Sequence, residues 1–278
     1  MKCWKKFSVW SAMMVLLLIG NSSLPTLRAQ KAPEPTKLRI LCYNIHWALG
    51  MDGKYDVERI ADVINKAKPD LVALQEVDVG VERSGRVHEA QRLSELTGMD
   101  VRMGPTQHYQ GGLFGNAVLS RLPIKDVEIH PLPYTEETEE LQTYPRGCVV
   151  VTVEAPNGKP LRFVSTHFQH NLPEDRVAQA HAINKLLAAD DSGIPTILAG
   201  DMNAKPNEEP IQVLLKRWTN VINDPPAPTV PVKDPKYRID YIFHRSSDSF
   251  KINETYVIDE KIASDHLPVF AELEWMSN

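Results

Sequence analysis

The stretch that most constrains this chain is TILAGDMN, residues 196–203, where an apolar run stops at a glycine and two polar side chains follow. Residues 194–199 are short and rich in β-branched side chains, which predicts a buried strand rather than a helix. Gly200 is expected to let the backbone turn sharply as the strand leaves the core. If extended geometry continues, Asp201 and Asn203 point to the same side, where a carboxylate could orient a water and an amide could donate to an oxyanion. The alternative is an Asx turn that closes a loop.

The first 29 residues are typical of a secretory signal peptide. Three lysines precede an apolar run over residues 7–19, and a polar tail ends at Ala29. The apolar run is short for a bilayer span. We therefore expect cleavage near Ala29 and export to the periplasm or the extracellular space; an uncleaved N-terminal membrane anchor is the alternative. Residues 30–36 are predicted to be a proline-rich leader, and residues 37–278 the folded domain.

The charge of the exported chain argues against broad electrostatic binding of nucleic acid. The whole chain carries a net charge of −5, and loss of residues 1–29 removes four basic residues and no acidic one, which leaves −9. Such a chain lacks the wide positive field of non-specific nucleic-acid binders. Cys42 and Cys148 lie in apolar runs and are interpreted as small buried hydrophobes, with a disulfide between them as the alternative.

Short apolar runs alternate with amphipathic segments along the rest of the chain. Strands are predicted at residues 38–43, 71–74, 117–120, 148–153, 161–165, 194–199, 238–243 and 269–273, and helices at 56–69, 88–96, 174–189 and 211–218. Loops are expected at the glycine-rich segment 110–116, the acidic run 136–140 and the proline-rich segment 223–235. The alternation predicts the α/β class. The Pro-Asn-Gly sequence at 156–158 predicts a hairpin, so the sheets should be mixed.

Polar side chains stand at the ends of these predicted strands. They are Asn44, Glu76, His167, Asp201 with Asn203, and Asp240, while Asp265 and His266 directly precede the last strand. Strand ends that meet at one edge of a sheet are the usual place for an active site in an α/β fold. The sequence therefore predicts one site built from distant segments.

The segments YNIH, LVALQEVD, GNAVLSR, STHF, ILAGDMNAKP, RIDYIF and SDHLPV resemble, in this order, the endonuclease/exonuclease/phosphatase superfamily. The resemblance runs from about residue 38 to residue 273. It implies a four-layer α/β/β/α sandwich of two mixed sheets with helices outside. It also implies a metal-dependent phosphoesterase, as in deoxyribonuclease, apurinic-site nucleases, sphingomyelinases and inositol-polyphosphate phosphatases.

The resemblance also implies roles for individual residues. Glu76 resembles the main metal ligand, an oxygen donor that suits Mg²⁺ or Mn²⁺. Asn44 resembles the asparagine that supports the metal and the phosphate, and Asp265 resembles a metal ligand or an orienting group near the metal. His266 resembles a histidine paired with Asp240, which acts either as a base or as a stabiliser of phosphorane charge.

Other residues are assigned to binding the substrate or the attacking water. His167 and Asn203 resemble donors to the phosphoryl group, with Asp201 as the residue that orients or deprotonates water. Asn116 resembles a supporting asparagine, and Arg146 and Arg83 are candidates for a phosphate clamp or for surface ion pairs. His46 stands where repair nucleases of the superfamily usually have aspartate, which weakens a DNA-repair function.

The predicted activity is metal-assisted in-line attack of water on a phosphate ester, with a phosphodiester as the favoured substrate. The substrate could be a lipid head group, a small molecule or a nucleic acid, and an extracellular nuclease is the alternative within this class. A non-catalytic binding module on the same scaffold is the alternative of another class. No obligate protein partner is indicated, and we expect a monomer. The histidines show no spacing typical of a zinc hydrolase.

Overall fold

Two six-stranded sheets form the body of the molecule. The computed structural model describes residues 1–2, 35–189, 191–222 and 225–276. Residues 3–29 of the predicted signal peptide and residues 30–34 of the leader therefore lie outside the described residues. The strands are β1 (Thr36–Asn44), β2 (Leu71–Val79), β3 (Asp100–Tyr109), β4 (Gly112–Ser120), β5 (Ile124–Leu132), β6 (Arg146–Glu154), β7 (Pro160–His167), β8 (Thr196–Asp201), β9 (Trp218–Asn220), β10 (Asp240–Arg245), β11 (Phe250–Val257) and β12 (Val269–Trp275). They belong to the compact unit Glu34–Asn278.

The strand order is β11-β12-β1-β2-β4-β3 in the first sheet and β5-β6-β7-β8-β10-β9 in the second. Each sheet has one parallel pair, β1 with β2 and β7 with β8, and antiparallel neighbours elsewhere. The carboxyl ends of a parallel pair lie at the same edge. Both sheets are therefore mixed, as predicted, and each presents two strand ends side by side.

In the described part of the chain, four α-helices cover the outer faces: α1 (Val57–Ala67), α2 (Glu89–Thr97), α3 (Pro173–Ile183) and α4 (Glu209–Leu215). The Asp56 side chain caps α1 by accepting from the backbone N–H of Arg59, as its position in the sequence predicts. The prediction that the last helix reaches Trp218 is wrong. The helix ends at Leu215, and Trp218 begins β9, where it pairs with Arg245 of β10; its buried indole donates to Asn184 Oδ1 at 2.8 Å. No helix in the described ranges has the length and apolarity to cross a membrane.

Three apolar clusters separate the four layers. Leu38 and Ile40 of the first sheet pack with Val149 and Phe163 of the second. The other face of β1 packs against α1, and the other face of β8 packs against α3 and α4. Alternate side chains of a strand point to opposite faces, so strands buried on both faces read as continuous apolar runs. The α/β/β/α sandwich is confirmed.

Two expectations about glycines are corrected. Residues 112–116 are not a loop but the first half of β4, where a Cβ on Gly115 would meet the backbone of β3. Gly200 lies within β8 and makes no turn; a Cβ there would collide with the carbonyl oxygen of Thr166 on β7. Glycine is required at 200 by close strand approach. Cys42 and Cys148 are buried free thiols, in agreement with their interpretation as small hydrophobes.

Candidate active site

An open cleft of about 350 Å³ lies at the edge where the two parallel strand pairs end. Both sheets and the loops around them line it: Glu76, Arg83, Gln107, Tyr109, Phe114, Gln142, Tyr144, Arg146, His167, His170, Asp201, Asn203 and His266. The predicted meeting of distant segments at one edge is therefore present.

Asn44, the last residue of β1, joins carboxylates of the two sheets. Its Nδ2 donates to Glu76 Oε1 and to Asp201 Oδ2, both at 3.1 Å. Its Oδ1 accepts from the backbone N–H of His46 at 3.1 Å, which fixes the orientation of the amide. Because Asn44 is buried, this geometry holds Glu76 and Asp201 on either side of one amide.

Glu76 reaches the cleft through an irregularity in β2. The pairing of β2 with β4 shifts between Leu74 and Val77, and Glu76 has a φ of 58°. A bulge redirects side chains that regular alternation would place elsewhere. A left-handed backbone at a non-glycine residue is uncommon and is often associated with function.

Asp201 and Asn203 combine both of the arrangements considered from the sequence. The backbone N–H of Asn203 donates to Asp201 Oδ1 at 2.8 Å, which is the Asx contact, and Asn203 has a φ of 47°. Extended geometry therefore ends before Asn203. Its side chain nevertheless lines the cleft, and its Nδ2 donates to the Phe168 carbonyl at 3.1 Å.

His266 is paired with Asp240, the first residue of β10. The Nδ1 atom lies 3.0 and 3.1 Å from the two Asp240 oxygens, and Nε2 lies 3.8 Å from Asp201 Oδ2. Burial lowers the pKa of His266, but the carboxylates of Asp240 and Asp201 outweigh burial and hold the pKa well above its ordinary value. Burial raises the pKa of Asp201 to about 7, with a further contribution from Asp240, while His266 opposes that rise.

The tautomer of His167 follows from its neighbour Arg146. Arg146 Nη1 lies 3.1 Å from His167 Nδ1. A guanidinium offers only donors, so Nδ1 accepts and the proton of the neutral ring is on Nε2. Burial, followed by the charges of Arg146 and His266, holds the pKa of His167 well below its ordinary value, which favours this neutral form.

Two N–H donors then converge at the cleft. His167 Nε2 lies 3.0 Å from Asn203 Nδ2 and 3.4 Å from Asp201 Oδ2. The first contact joins two donors in this tautomer and is not itself a hydrogen bond. An incoming oxygen that both N–H groups face would accept from each, which is the arrangement of an oxyanion site.

The donors of the cleft suit a hard divalent cation. The ligand atoms of Asp201, Asp240 and His266 lie within 4.8 Å of one another and could hold a metal ion. Glu76 adds a carboxylate that is tied to Asp201 through Asn44. Carboxylate oxygens are the ligands that Mg²⁺ and Mn²⁺ prefer. Asn44, predicted to be a metal ligand, instead turns its Nδ2 donor to these carboxylates and its Oδ1 to the His46 backbone, so it orders the ligands and is not one of them. The residues therefore fit the divalent metal that the resemblance implies.

Residues 41–266 match the Endonuclease/Exonuclease/phosphatase family. The chain belongs to the endonuclease/exonuclease/phosphatase family. It is 26% identical over 258 residues to the uncharacterized protein YbhP of Escherichia coli K12, which covers 87% of this chain and 99% of that protein.

Two solved structures show the same architecture. An endonuclease/exonuclease/phosphatase from Beutenbergia cavernae has a TM-score of 0.70 at 26% identity and covers 86% of this chain and 72% of that one. A mannosyl-6-phosphatase from Bacteroides thetaiotaomicron has a TM-score of 0.69 at 19% identity and covers 85% of this chain and 99% of that one. At this identity, the similarity to the mannosyl-6-phosphatase concerns the fold alone.

Two residues predicted at the site of this endonuclease/exonuclease/phosphatase protein stand apart from its central group. The Asp265 side chain is 45% exposed, and its Oδ1 lies 3.9 Å from His46 Nδ1. It lies outside the close-set group of Asp201, Asp240 and His266, so a metal-ligand role for it stays a prediction. Asn116 is buried and donates to the Gly147 carbonyl at 2.9 Å, which holds β4 to the start of β6.

The two predicted phosphate arginines differ in their surroundings. Arg83 donates through Nε and Nη2 to the buried carboxylate of Asp78, both at 2.9 Å, so its ion-pair alternative is present. Arg146 is buried, its Nε has no hydrogen-bond partner, and it forms no ion pair with a carboxylate in the described residues. Of the two arginines, Arg146 is therefore the one whose charge is not taken up by an ion pair.

Sequence reasoning missed the aromatic and amide residues of the cleft wall. Tyr109 and Phe114 flank the turn between β3 and β4, and their rings lie 4.8 and 5.2 Å from the Arg83 guanidinium. Tyr144 and His170 pair across the opposite wall with ring centroids 5.2 Å apart. Tyr144 could have been predicted from the sequence, because it stands two residues before Arg146, a predicted site residue. Tyr109 has no predicted site residue beside it in the sequence.

Proposed function

We propose that this protein is an exported, metal-dependent hydrolase that cleaves a phosphodiester by in-line attack of water. The observation that carries the proposal is the convergence, at one cleft, of an Asn44-linked carboxylate pair, the Asp240–His266 pair and two N–H donors. Membership of the endonuclease/exonuclease/phosphatase family supports the same reaction class.

Glu76 and Asp201 would hold Mg²⁺ or Mn²⁺, with Asn44 ordering both carboxylates. When bound, the ion supplies Lewis-acid polarisation of a phosphoryl oxygen and neutralises developing charge. Asp265 is proposed as an additional orienting group near the ion.

The protein's own groups then divide the remaining work. Asp201 orients the attacking water or takes its proton, since its buried carboxylate lies between Asn44 and His266 at the cleft. Because its pKa is held high, His266 is proposed to act as an imidazolium that stabilises the charge of the phosphorane, in preference to acting as a neutral base. His167 Nε2 and Asn203 Nδ2 donate to phosphoryl oxygens, and Arg146 offsets the charge of the ester.

Export is proposed from the N-terminal segment alone. A basic start, a short apolar run and a small residue at 29 support cleavage near Ala29. Cell fractionation with N-terminal sequencing tests this directly. A periplasmic or secreted form that begins near Gln30 is expected, and full-length protein in the soluble cytoplasm would contradict it.

A substrate screen tests the reaction. Purified protein is incubated with Mg²⁺ or Mn²⁺ and with plasmid DNA, RNA, a choline phospholipid, inositol phosphates or a soluble phosphodiester. We expect hydrolysis of at least one ester that EDTA abolishes. E76Q should lower kcat by at least about a hundredfold, whereas E82Q, at an exposed residue, should leave it unchanged. Equal turnover by E76Q and wild type would overturn the assignment.

A further inference from the structure

The loop between β5 and β6 brings an acidic segment to the rim of the cleft. Gln142 and Tyr144 of this loop line the cleft wall. Glu136, Glu137, Glu139 and Glu140, here called the acidic tip, lie a few residues earlier in the same loop. Consecutive Cα atoms are about 3.8 Å apart, so the Cα of Glu140 lies within about 8 Å of that of Gln142.

The base of the loop is held in place by side-chain hydrogen bonds. Asp175 accepts from the Thr135 hydroxyl at 2.8 Å and from its backbone N–H at 2.9 Å. Thr143 Oγ1 donates to the Thr135 carbonyl at 2.7 Å, and Gln169 Nε2 donates to the Tyr144 carbonyl at 3.1 Å. Both ends of the loop are therefore held by the fold, and the acidic tip lies between them, next to the two residues that line the cleft.

The four carboxylates are not neutralised locally. All four side chains are exposed, and none forms an ion pair with a lysine, arginine or histidine of the described residues. Inside the cleft, Arg146 is buried, has an unpartnered Nε and forms no ion pair with a carboxylate of the described residues, while the two carboxylates that also line the cleft, Glu76 and Asp201, are the proposed metal ligands. The cleft thus offers a buried cation at its floor and concentrated negative charge at its rim.

This distribution discriminates between anionic substrates. A nucleic-acid strand carries about one charge for every 3.4 Å of helix axis, so the phosphates next to the scissile one would face the acidic tip. At about 0.1 M salt, charges within about 10 Å still interact. An ester with a single phosphate places its only charge at Arg146 and none at the rim.

We propose that the acidic tip is a specificity element that admits phosphate esters with one phosphate group and rejects nucleic-acid strands. The proposal rests on the phosphoesterase function and narrows its substrate to a lone phosphate ester on a small molecule or a lipid head group. It also assigns a role to the acidic run that the sequence alone presents as a solvated loop.

The test compares two variants with the same change in net charge. The tip variant is E136Q/E137Q/E139Q/E140Q. The control is D62N/D100N/D126N/E254Q, at four exposed acidic residues that do not line the cleft. Binding of a fluorescent phosphorothioate strand of about twelve nucleotides, which keeps one charge per linkage, is measured by anisotropy in Mg²⁺ at about 20 and 200 mM salt.

At low salt the tip variant should bind the strand at least about tenfold more tightly than wild type, and the control less than about twofold more tightly. The difference should shrink at high salt, because screening weakens the repulsion. Equal binding by wild type and tip variant, or an equal gain in the control, would overturn the proposal.

Hydrolysis supplies an independent readout. On a soluble diester, and likewise on a choline phospholipid, the tip variant should have the same rate of hydrolysis as wild type. Whichever of the two substrates is cleaved faster shows whether the natural substrate is a small molecule or a lipid head group. If no ester is hydrolysed by any form while the tip variant still gains strand binding, the phosphoesterase proposal fails and the role of the tip as a charge barrier stands.

Discussion

At the scale of single residues, the cleft is built from backbone conformations that side chains usually avoid. Glu76 and Asn203 have a positive φ, and so do the three consecutive residues 46–48, which begin two positions after Asn44. Each such residue costs roughly 1–2 kcal/mol relative to right-handed backbone. The hydrogen bonds of Asn44 and Asp201 hold these residues in place, so the strain lies where the proposed chemistry occurs.

Gly200→Ala tests the close approach of β7 and β8. The new methyl group would collide with the Thr166 carbonyl, which belongs to the paired strand and cannot move alone. We expect a loss of roughly 1–3 kcal/mol in the free energy of unfolding, measured with urea, and reduced turnover because Asp201 is the next residue. Gly158→Ala, in open space at a φ of 76°, should cost only about 1 kcal/mol. Unchanged stability of G200A would contradict the steric account.

Glu89→Gln tests a buried acid on the outer side of the first sheet. Glu89 Oε2 accepts from the Asp78 backbone N–H at 2.8 Å, and burial raises the pKa of Glu89 to about 8. An unfolded glutamate ionises near pH 4.3, so the unfolded chain releases this proton first and stability falls as the pH rises from about 4.5 to 8. Glutamine keeps the acceptor and cannot ionise.

Thermal unfolding at pH 5 and pH 8 measures the effect of this substitution. E89Q should be more stable than wild type at pH 8, by about 2–4 kcal/mol, and nearly equal to it at pH 5. E95Q, on the exposed face of the same helix, should follow wild type. Parallel pH dependence of E89Q and wild type would show that Glu89 is ionised in the folded protein.

At the scale of elements, the strands that sequence reasoning found and missed fall into two groups. The eight predicted strands are those inside the sheets, where both faces are buried and the apolar run is continuous. The four missed strands, β3, β5, β9 and β11, are the four edges of the two sheets. An edge strand such as β5 is largely exposed, so its sequence mixes charged and apolar residues and lacks a clear signal.

The same contrast applies to the site. Asp201 and His167 end interior strands and Glu76 lies within one, and all three could be named from the sequence. The bulge that aims Glu76 could not, because it depends on pairing with β4. Tyr109 lies on edge strand β3 and was missed with that strand. The position of Asp265 away from the central group depends on the loop before β12, whose path no local pattern specifies.

The connection between β2 and α2 depends on the ion pair of Arg83 with Asp78. Asp78 is fully buried, and the guanidinium that neutralises it is packed among three aromatic rings. R83Q should lower the free energy of unfolding by about 3–5 kcal/mol because it leaves a buried charge unpaired.

A double-mutant cycle separates charge from packing. D78N/R83Q removes both charges and should recover much of that loss, with a coupling energy of about 1–3 kcal/mol in urea unfolding. R86Q, at a neighbouring arginine with an exposed partner, should change stability by less than about 0.5 kcal/mol. A double variant as unstable as R83Q would mean that the arginine stabilises by packing alone.

At the scale of the whole molecule, the site lies at the junction of the two sheets, here called the seam, and residues of both sheets form it. Glu76 comes from the first sheet, and Asp201, His167 and Asp240 come from the second. Asn44 and Ser264 tie the seam together, since Ser264 Oγ donates to the Asn44 carbonyl at 2.8 Å. Groups separated by up to 220 positions in the chain meet there, so the site exists only in the complete sandwich.

A divalent ion bound at this seam should therefore stabilise the entire fold. Binding to the folded state alone adds about 2.7 kcal/mol at a hundredfold excess over the dissociation constant. For a domain of this size, that corresponds to a rise in Tm of about 5–10 °C with Mg²⁺ or Mn²⁺. E76Q should abolish the rise while keeping the Tm without added metal, because glutamine has the same shape and Glu76 is only half-buried. E82Q, at an exposed carboxylate outside the cleft, should retain the rise in Tm.

An equal rise in Tm in E76Q would place the ion on Asp201, Asp240 and His266 without Glu76. D240N would then be the variant that loses the rise.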